Sequence, residues 1–426
     1  MRNLLNRSLL PTLALVLLCG PAAVRGATDA EADALNLEST EAKAPAKGKG
    51  DTRIFVEGAL GTASQRYLPS SLNLRRVSLD LSYTARLGQG IRFVVSDRLD
   101  LIHPRDAGLD ETVNSLREAY VSWQPEGAKS VFEFGRINLR YGPGYGYNPT
   151  DFFRDGSLRA LTSADPFALR ENRLGSVMLR GQQLWDGGSF SVAFSPKLER
   201  TPSLDGWNLD LGSTNNRDRL LLALGTQFSQ RVSSQLLLYK EDGQSATVGA
   251  NLTALLSDAA TAHLEWSRGR EPDLFSRALL SPAALQTRNR FVGGVTYTTA
   301  GKLSVTAEYQ YNGFGLSQPR WAALGATPLA QFAYLRESLR LQDLAPREAV
   351  LIYVTQKNFG LKDLDLTAYL RYNPGDNSRL AWFELRRQWP SFDLAFQFQQ
   401  NMGRPASEFG ILPDRRIMQV LGTYYF

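Results

Sequence analysis

The sequence predicts an all-β protein: a closed antiparallel transmembrane barrel of about eighteen strands, with sixteen as the alternative count, carrying short turns at one rim and long loops at the other. Three observations predict it. Segments of about ten residues alternate strictly between apolar and polar side chains, the connections between them alternate short and long, and the last segment closes the chain on aromatic residues.

The chain has 426 residues, 43% hydrophobic and 10% aromatic, yet contains no run of eighteen apolar residues. A bundle of membrane-spanning helices is therefore excluded. Met1 to about Gly26 has the three zones of a secretory signal: Arg2 and Arg7, then the apolar run from Leu9 to Leu18, then Ala22, Ala23 and Gly26. Leu18 stands where a lipoprotein signal would need a small residue before Cys19. Loss of Arg2, Arg7 and Arg25 takes 48 basic residues to 45 against 42 acidic ones, a near-neutral balance that gives no reason to expect nucleic acid as a partner. The single cysteine leaves with the signal, so no disulfide, thiolate metal site or cysteine nucleophile remains. Residues 27–51, rich in Ala, Glu, Lys and Thr and without aromatics, are expected to form a flexible periplasmic segment, and residues 52–426 the barrel.

The strands follow in order. Val77, Leu79, Leu81, Tyr83, Ala85 and Leu87 face one way and Arg76, Ser78, Asp80, Ser82, Thr84 and Arg86 the other, a spacing that no single helical stripe accommodates. Gly88-Gln89-Gly90 then turns the chain into a second alternating run from Ile91 to Asp100. The same texture recurs over 244–256, 301–312, 362–373 and 391–402, and eighteen segments can be marked: 52–61, 72–87, 90–101, 115–124, 129–138, 173–184, 188–198, 217–230, 232–240, 244–256, 259–269, 288–299, 301–312, 347–358, 362–373, 378–389, 391–402 and 414–426. Their length suits a tilted strand crossing a bilayer, about 9 to 11 residues. Even-numbered strands are followed by short links such as Asp186-Gly187-Gly188 and Trp389-Pro390-Ser391, most odd-numbered ones by longer segments up to Gly313–Pro346, so both termini fall at the turn rim.

The terminal stretch Gln419-Val420-Leu421-Gly422-Thr423-Tyr424-Tyr425-Phe426 resembles the last strand of bacterial outer-membrane proteins. That resemblance implies the bacterial outer membrane as location, its lipid and lipopolysaccharide as surroundings, and recognition of Tyr424 and Phe426 by the barrel-assembly machinery. Gly135 to Gly142, reading Gly-Arg-x-x-Leu-x-Tyr-Gly, looks like a motif of alginate-export-type porins, which implies a passive conduit for an anionic polymer or small solute.

Between Leu139 and Arg173 the alternation stops and glycines, prolines, aromatics and both charge signs crowd together. Long loops of this kind are either functional or disordered, and one this aromatic is expected to fold into the pore. The expected constriction residues are Arg140, Asp151, Arg154, Asp155, Arg159, Arg170 and Arg173, with Arg154 and Arg159 confronting Asp151 or Asp155 across the opening, and Tyr145, Tyr147, Phe152 and Phe153 anchoring the loop to the wall. Arg76, Asp80, Arg86, Arg92, Arg98, Arg371 and Arg386 lie on polar strand faces and are expected to line the lumen, mostly in mutual pairs.

An enzyme is the competing class, but His103 and His263 are the only histidines of the chain and no serine-nucleophile context accompanies the His263/Glu265 pair. Neither a metal site nor a cofactor motif is expected: two histidines without cysteine are too few ligands, and Gly142-Pro143-Gly144-Tyr145-Gly146 has a proline where a phosphate loop needs a backbone donor. The expected function is a porin-like channel or exporter for small or anionic solutes. The alternative is a sealed barrel that anchors an envelope assembly.

Overall fold

The computed structural model describes residues 38–39, 51–104, 111–203, 205–281 and 284–426. The expected signal peptide and all of the expected periplasmic segment except 38–39 and Asp51 lie outside the described residues. Eighteen antiparallel strands close into one barrel. They are β1 (Thr52–Gln65), β2 (Leu72–Arg86), β3 (Ile91–His103), β4 (Thr112–Trp123), β5 (Ser130–Ile137), β6 (Ser176–Trp185), β7 (Gly188–Ser195), β8 (Arg219–Ser229) and β9 (Val232–Glu241). The second half continues with β10 (Thr247–Ser257), β11 (Ala260–Glu271), β12 (Gln286–Thr298), β13 (Leu303–Asn312), β14 (Glu348–Gln356), β15 (Leu364–Asn373), β16 (Ser378–Gln388), β17 (Phe392–Met402) and β18 (Asp414–Tyr425). Each strand pairs with its sequence neighbours, and β1 pairs with β18 through Gly58↔Gly422, which leaves no open edge.

The alternation read in the sequence is the inside–outside pattern of this wall. On β2, Leu79 is 46% exposed while Asp80 beside it is 1% exposed. The outward residues form an apolar belt, closed at the turn rim by aromatics such as the Trp123–Phe132 and Trp389–Phe392 pairs with centroids 5.7 and 5.8 Å apart. Such a girdle marks the boundary between hydrocarbon and headgroups. Many of the inward residues are charged and pair with one another. Arg117 holds Asp80 in a two-pronged contact at 2.7 and 2.8 Å, Arg53 reaches the same carboxylate at 3.2 Å, and Arg98 bridges Asp100 and Glu57, each at 3.0 Å.

One irregularity adds a charge to this wall. Ser96 pairs with Glu118 but Asp97 with Leu116, so Arg117 is an extra residue in β4, and the bulge turns Arg117 and Glu118 both into the buried interior.

Among the described residues, five helices sit in the long connections: α1 (Pro166–Glu171), α2 (Leu211–Thr214), α3 (Leu274–Ala278), α4 (Gln318–Leu324) and α5 (Pro328–Arg340). Proline at the start of α1, α4 and α5 fits the helix entry, where its missing N–H costs nothing. Helix α5 lies within Gly313–Pro346, where the sequence predicts only a long connection. Tyr334 ties α5 into the β13–β14 connection, donating its hydroxyl to Ala345 O at 2.5 Å and accepting from Leu316 N at 3.0 Å.

Candidate functional site: two loops packed inside the barrel

The connection from β5 to β6 leaves the wall after Ile137 and enters the lumen. Its glycine-dense stretch offers backbone donors with few side chains in the way, and two inward glutamates of the opposite wall accept them. Glu265 of β11 accepts from Gly144 N at 3.2 Å and from Thr150 N and Oγ1, both at 2.8 Å. Glu308 of β13 accepts from Tyr145 N at 2.5 Å and Gly146 N at 3.1 Å. A β-carbon at Gly142, where φ is +91°, would lie 2.2 Å from the Glu265 carboxylate, so the close approach requires glycine. His263 does not pair with Glu265 on its own strand face; its Nε2 meets Glu308 at 2.9 Å and its ring stacks 5.9 Å from Tyr145.

Aromatic side chains fasten the rest of the loop. Phe152 stacks on Tyr239 at 4.7 Å and 5°, Phe153 packs edge-on to the same ring, and Tyr145 meets Tyr353 at 5.6 Å. Tyr147 donates its hydroxyl to Asp343.

The charges of the loop are arranged differently from the expectation. Arg154 and Arg159 do not confront Asp151 or Asp155. Asp151 is clasped by Arg173 at 2.8 and 3.0 Å, with Arg170 at 3.5 Å, while Arg173 also donates to Asn138 Oδ1 and Leu139 O and so ties both ends of the loop together. Arg154 turns to Asp343, Arg159 donates to the carbonyls of Asn114, Asn208 and Asp205, and Asp155 meets Arg340 at 2.6 Å near solvent. The physical reason is burial: a charge taken out of water needs a partner in direct contact, and facing rows across an open passage would leave each one unpaired. Burial works to raise the Asp151 carboxyl, but Arg173 and then Arg170 outweigh it and hold the group below the usual carboxylate range. Among the described residues Arg140 has no such carboxylate contact; burial, reinforced by Arg170 and Arg173, pushes its guanidinium down to about 10. The backbone of Arg140–Tyr141 pairs with that of Glu38–Ser39.

Asp343 belongs to the connection between β13 and β14, which also turns inward. It receives Arg154 at 3.2 Å from the first loop and Arg290 of β12 at 3.0 Å from the wall. Gln342 donates to Arg154 O and Ser157 Oγ, and Gly156 N to Arg340 O, so the two longest connections dock on each other. The sequence pairs Glu265 only with His263, and no pattern in it singles out Glu308, Asp343 or Arg290 as partners of a loop. The available signal was the run Gly142–Gly146 itself, whose backbone donors must find acceptors once buried.

Of the expected lumen residues, Arg76 binds Glu57 at 2.6 Å and the loop carbonyl of Thr162 at 2.6 Å, Arg386 binds Glu384, and Arg371 faces inward without a salt bridge among the described residues. Arg92, at the turn end of β3, is partly buried opposite Arg86. Arg86 is the exception: it lies at the turn rim, 76% exposed, 3.7 Å from Asp51, because β2 has reached the end of the barrel there. A cavity of about 770 Å³ remains between the loops and the β14–β2 side of the wall. Arg154, Arg170, Arg173, Arg336 and Arg371 line it against Asp151, Asp343, Glu408 and Asp414.

No family model matches the chain, and no curated protein sequence matches it. Solved structures do. OccAB1 of Acinetobacter baumannii superposes with a TM-score of 0.59 at 11% identity, over 91% of this chain and 99% of that one. OpdL of Pseudomonas aeruginosa (TM-score 0.54, 11% identity, 88% and 98% covered) and a BenF-like porin from Pseudomonas fluorescens Pf-5 (0.54, 10%, 88% and 98%) are similar over the same extent. The chain has the fold of bacterial outer-membrane porins.

Proposed function

We propose that this barrel resides in the bacterial outer membrane, with its loop rim outward, and passes small anionic solutes down their gradient past the two inward loops. The observation that carries this reading is the lumen cavity of about 770 Å³ and the arginines on it. Arg336 on α5 and Arg371 on β15 make no salt bridge among the described residues and are left to meet a passing anion. A fixed charge in a narrow, poorly hydrated passage acts on ions far more strongly than one in open water. The loop residues Arg154, Arg170 and Arg173, with Asp151, act as the constriction by holding the loop in place across the lumen.

Single-channel recording in planar bilayers tests this. We expect discrete conductance steps, a reversal potential favouring anions under a salt gradient, and a shift toward cations in the R336E/R371E variant. Deletion of Gly144 to Leu158 is expected to raise the conductance. Silent bilayers from correctly folded protein would favour the second reading, a sealed barrel that anchors an envelope assembly. The mutual docking of the two loops through Asp343 is the observation on its side. Tyr424 and Phe426, exposed on the outer face of the last strand, are available for recognition by the assembly machinery.

A further inference from the structure

The outer face of β11 carries two positive charges that the channel reading does not use. Ser267 is fully buried and Gly269 points inward with it, so Arg268 and Arg270 stand on the lipid-facing side, and both are exposed. Their partners across the β11–β12 ladder are Asn289 and Thr287. One row nearer the middle of the barrel, Trp266 lies opposite Phe291, and Phe291 opposite Tyr311. This is an aromatic girdle at the loop side, and the arginines sit directly above it, at the height of lipid headgroups.

Their isolation separates them from the neighbouring cations. Arg277 and Arg290 share Glu271, at 3.0 and 2.8 Å. Arg268 and Arg270 make no ion pair and no side-chain hydrogen bond among the described residues. Glu348 of β14, an outward carboxylate at this rim, stands beyond Tyr311 and off these strands, and Asp242, exposed in the turn before β10, makes no ion pair with either arginine among the described residues. Two arginines two residues apart on a strand are roughly 6.6–6.8 Å apart along it, and the next strand lies about 4.8 Å away. Guanidinium groups so placed match the oxygens of a phosphate in a forked contact, and amide and hydroxyl donors beside them complete its coordination.

We propose that Arg268 and Arg270, with Asn289 and Thr287, form a binding strip for the phosphate of a phosphorylated lipid of the outer leaflet. The acyl chains of such a lipid lie along the outward faces of Leu264, Trp266 and Phe291 below, and its headgroup phosphate meets the arginines above. This rests on the outer-membrane placement proposed above, but not on an open pore, so its failure and that of the channel reading are read separately.

The test is native mass spectrometry of the full chain, folded in detergent and titrated with bisphosphorylated lipid A. Wild type is expected to retain the lipid, and R268Q/R270Q to bind it on the order of 30-fold more weakly, from about 1 kcal/mol per basic residue near a phosphate. R387Q, on the outward face at the turn rim, is expected to bind as wild type does. R268K/R270K, which keeps both charges but loses the guanidinium forks, serves if the glutamine variant does not fold, and is expected to bind lipid A several-fold more weakly than wild type. Unchanged retention by R268Q/R270Q, an equal loss in R387Q, or displacement of lipid A by inorganic phosphate at equal concentration would each overturn the proposal.

Discussion

Asp343 Oδ1 lies 3.2 Å from Arg154 Nη2, and that contact joins the two longest connections of the barrel inside its lumen. Burial acts to raise the Asp343 carboxyl, but Arg290 and then Arg154 overcome it and hold the group below the usual carboxylate range. The aspartate is therefore ionised wherever the protein works, and its charge is what the two arginines are packed around.

Removal of that charge is the first prediction. D343N leaves Arg290 with Glu271 but takes the carboxylate from Arg154. Breaking one side of a buried ion pair costs about 3–5 kcal/mol. The strands do not depend on the contact, so the loss is expected in the loops: faster proteolysis between Gly142 and Arg173 and a noisier current, with heat-modifiable migration on gels nearly unchanged. A variant as protease-resistant as wild type would show that the loops hold without each other.

The second prediction concerns Gly142. G142A places a methyl group against the Glu265 carboxylate and forces a β-carbon into positive φ. The strain alone is worth about 1–3 kcal/mol, and the loop relieves it by leaving Glu265. A larger mean conductance in bilayers is the expected outcome. G187A is the comparison: it has positive φ at a rim turn with nothing closer than 3.9 Å, and is expected to leave conductance unchanged.

These two cases show where the sequence stops being informative. Eighteen strands were legible because lipid and lumen impose opposite demands on neighbouring residues, and Leu79 beside Asp80 satisfies both. The turn rim was legible from connection lengths alone. The loop interior was not, since Asp151 could have met any of several arginines, and only packing decides that Arg173 takes it. Asp343 lies 189 residues from Arg154, and no periodicity links them. The bulge at Arg117 was equally hidden, because an extra residue leaves composition unchanged and reveals itself only in register.

The facing of the wall gives a third prediction. Leu252 on β10 points to lipid, and L252R is expected to destabilise the folded barrel by about 2–4 kcal/mol near the bilayer midplane. Ser82 points inward near the turn rim, so S82R should be far milder in heat-modifiable gels. Asn251 is not an equivalent control despite facing inward, because it is 2% exposed and accepts from Thr150 Oγ1 at 2.9 Å. N251R is expected to expel the loop and raise conductance.

The last prediction is a pH dependence centred on Glu408, in the connection between β17 and β18. Burial pushes its carboxyl up from 4.5 to about 7; Arg371 opposes, Asp376 adds to the rise, and the hydrogen bond from Asn373 at 2.9 Å opposes. Because the folded value lies above the ordinary one, the neutral form is favoured by folding. Its contribution to stability is fully present below about 4.5 and is lost as pH rises through about 7. The lumen charge moves in the same window. At pH 5 Glu408 is neutral and Arg371, on the same cavity, presents its full charge to solutes; at pH 8 the carboxylate offsets it. Anion preference, read as reversal potential under a potassium chloride gradient, should therefore fall between pH 5 and pH 8. Asp165, raised by burial to about 6 and bound to the Tyr353 hydroxyl at 3.1 Å, adds a smaller step at lower pH. E408Q should remove the step near pH 7 and keep the one near pH 6. A wild-type reversal potential that stays constant from pH 5 to pH 8 would mean that neither carboxyl faces the path of the ions.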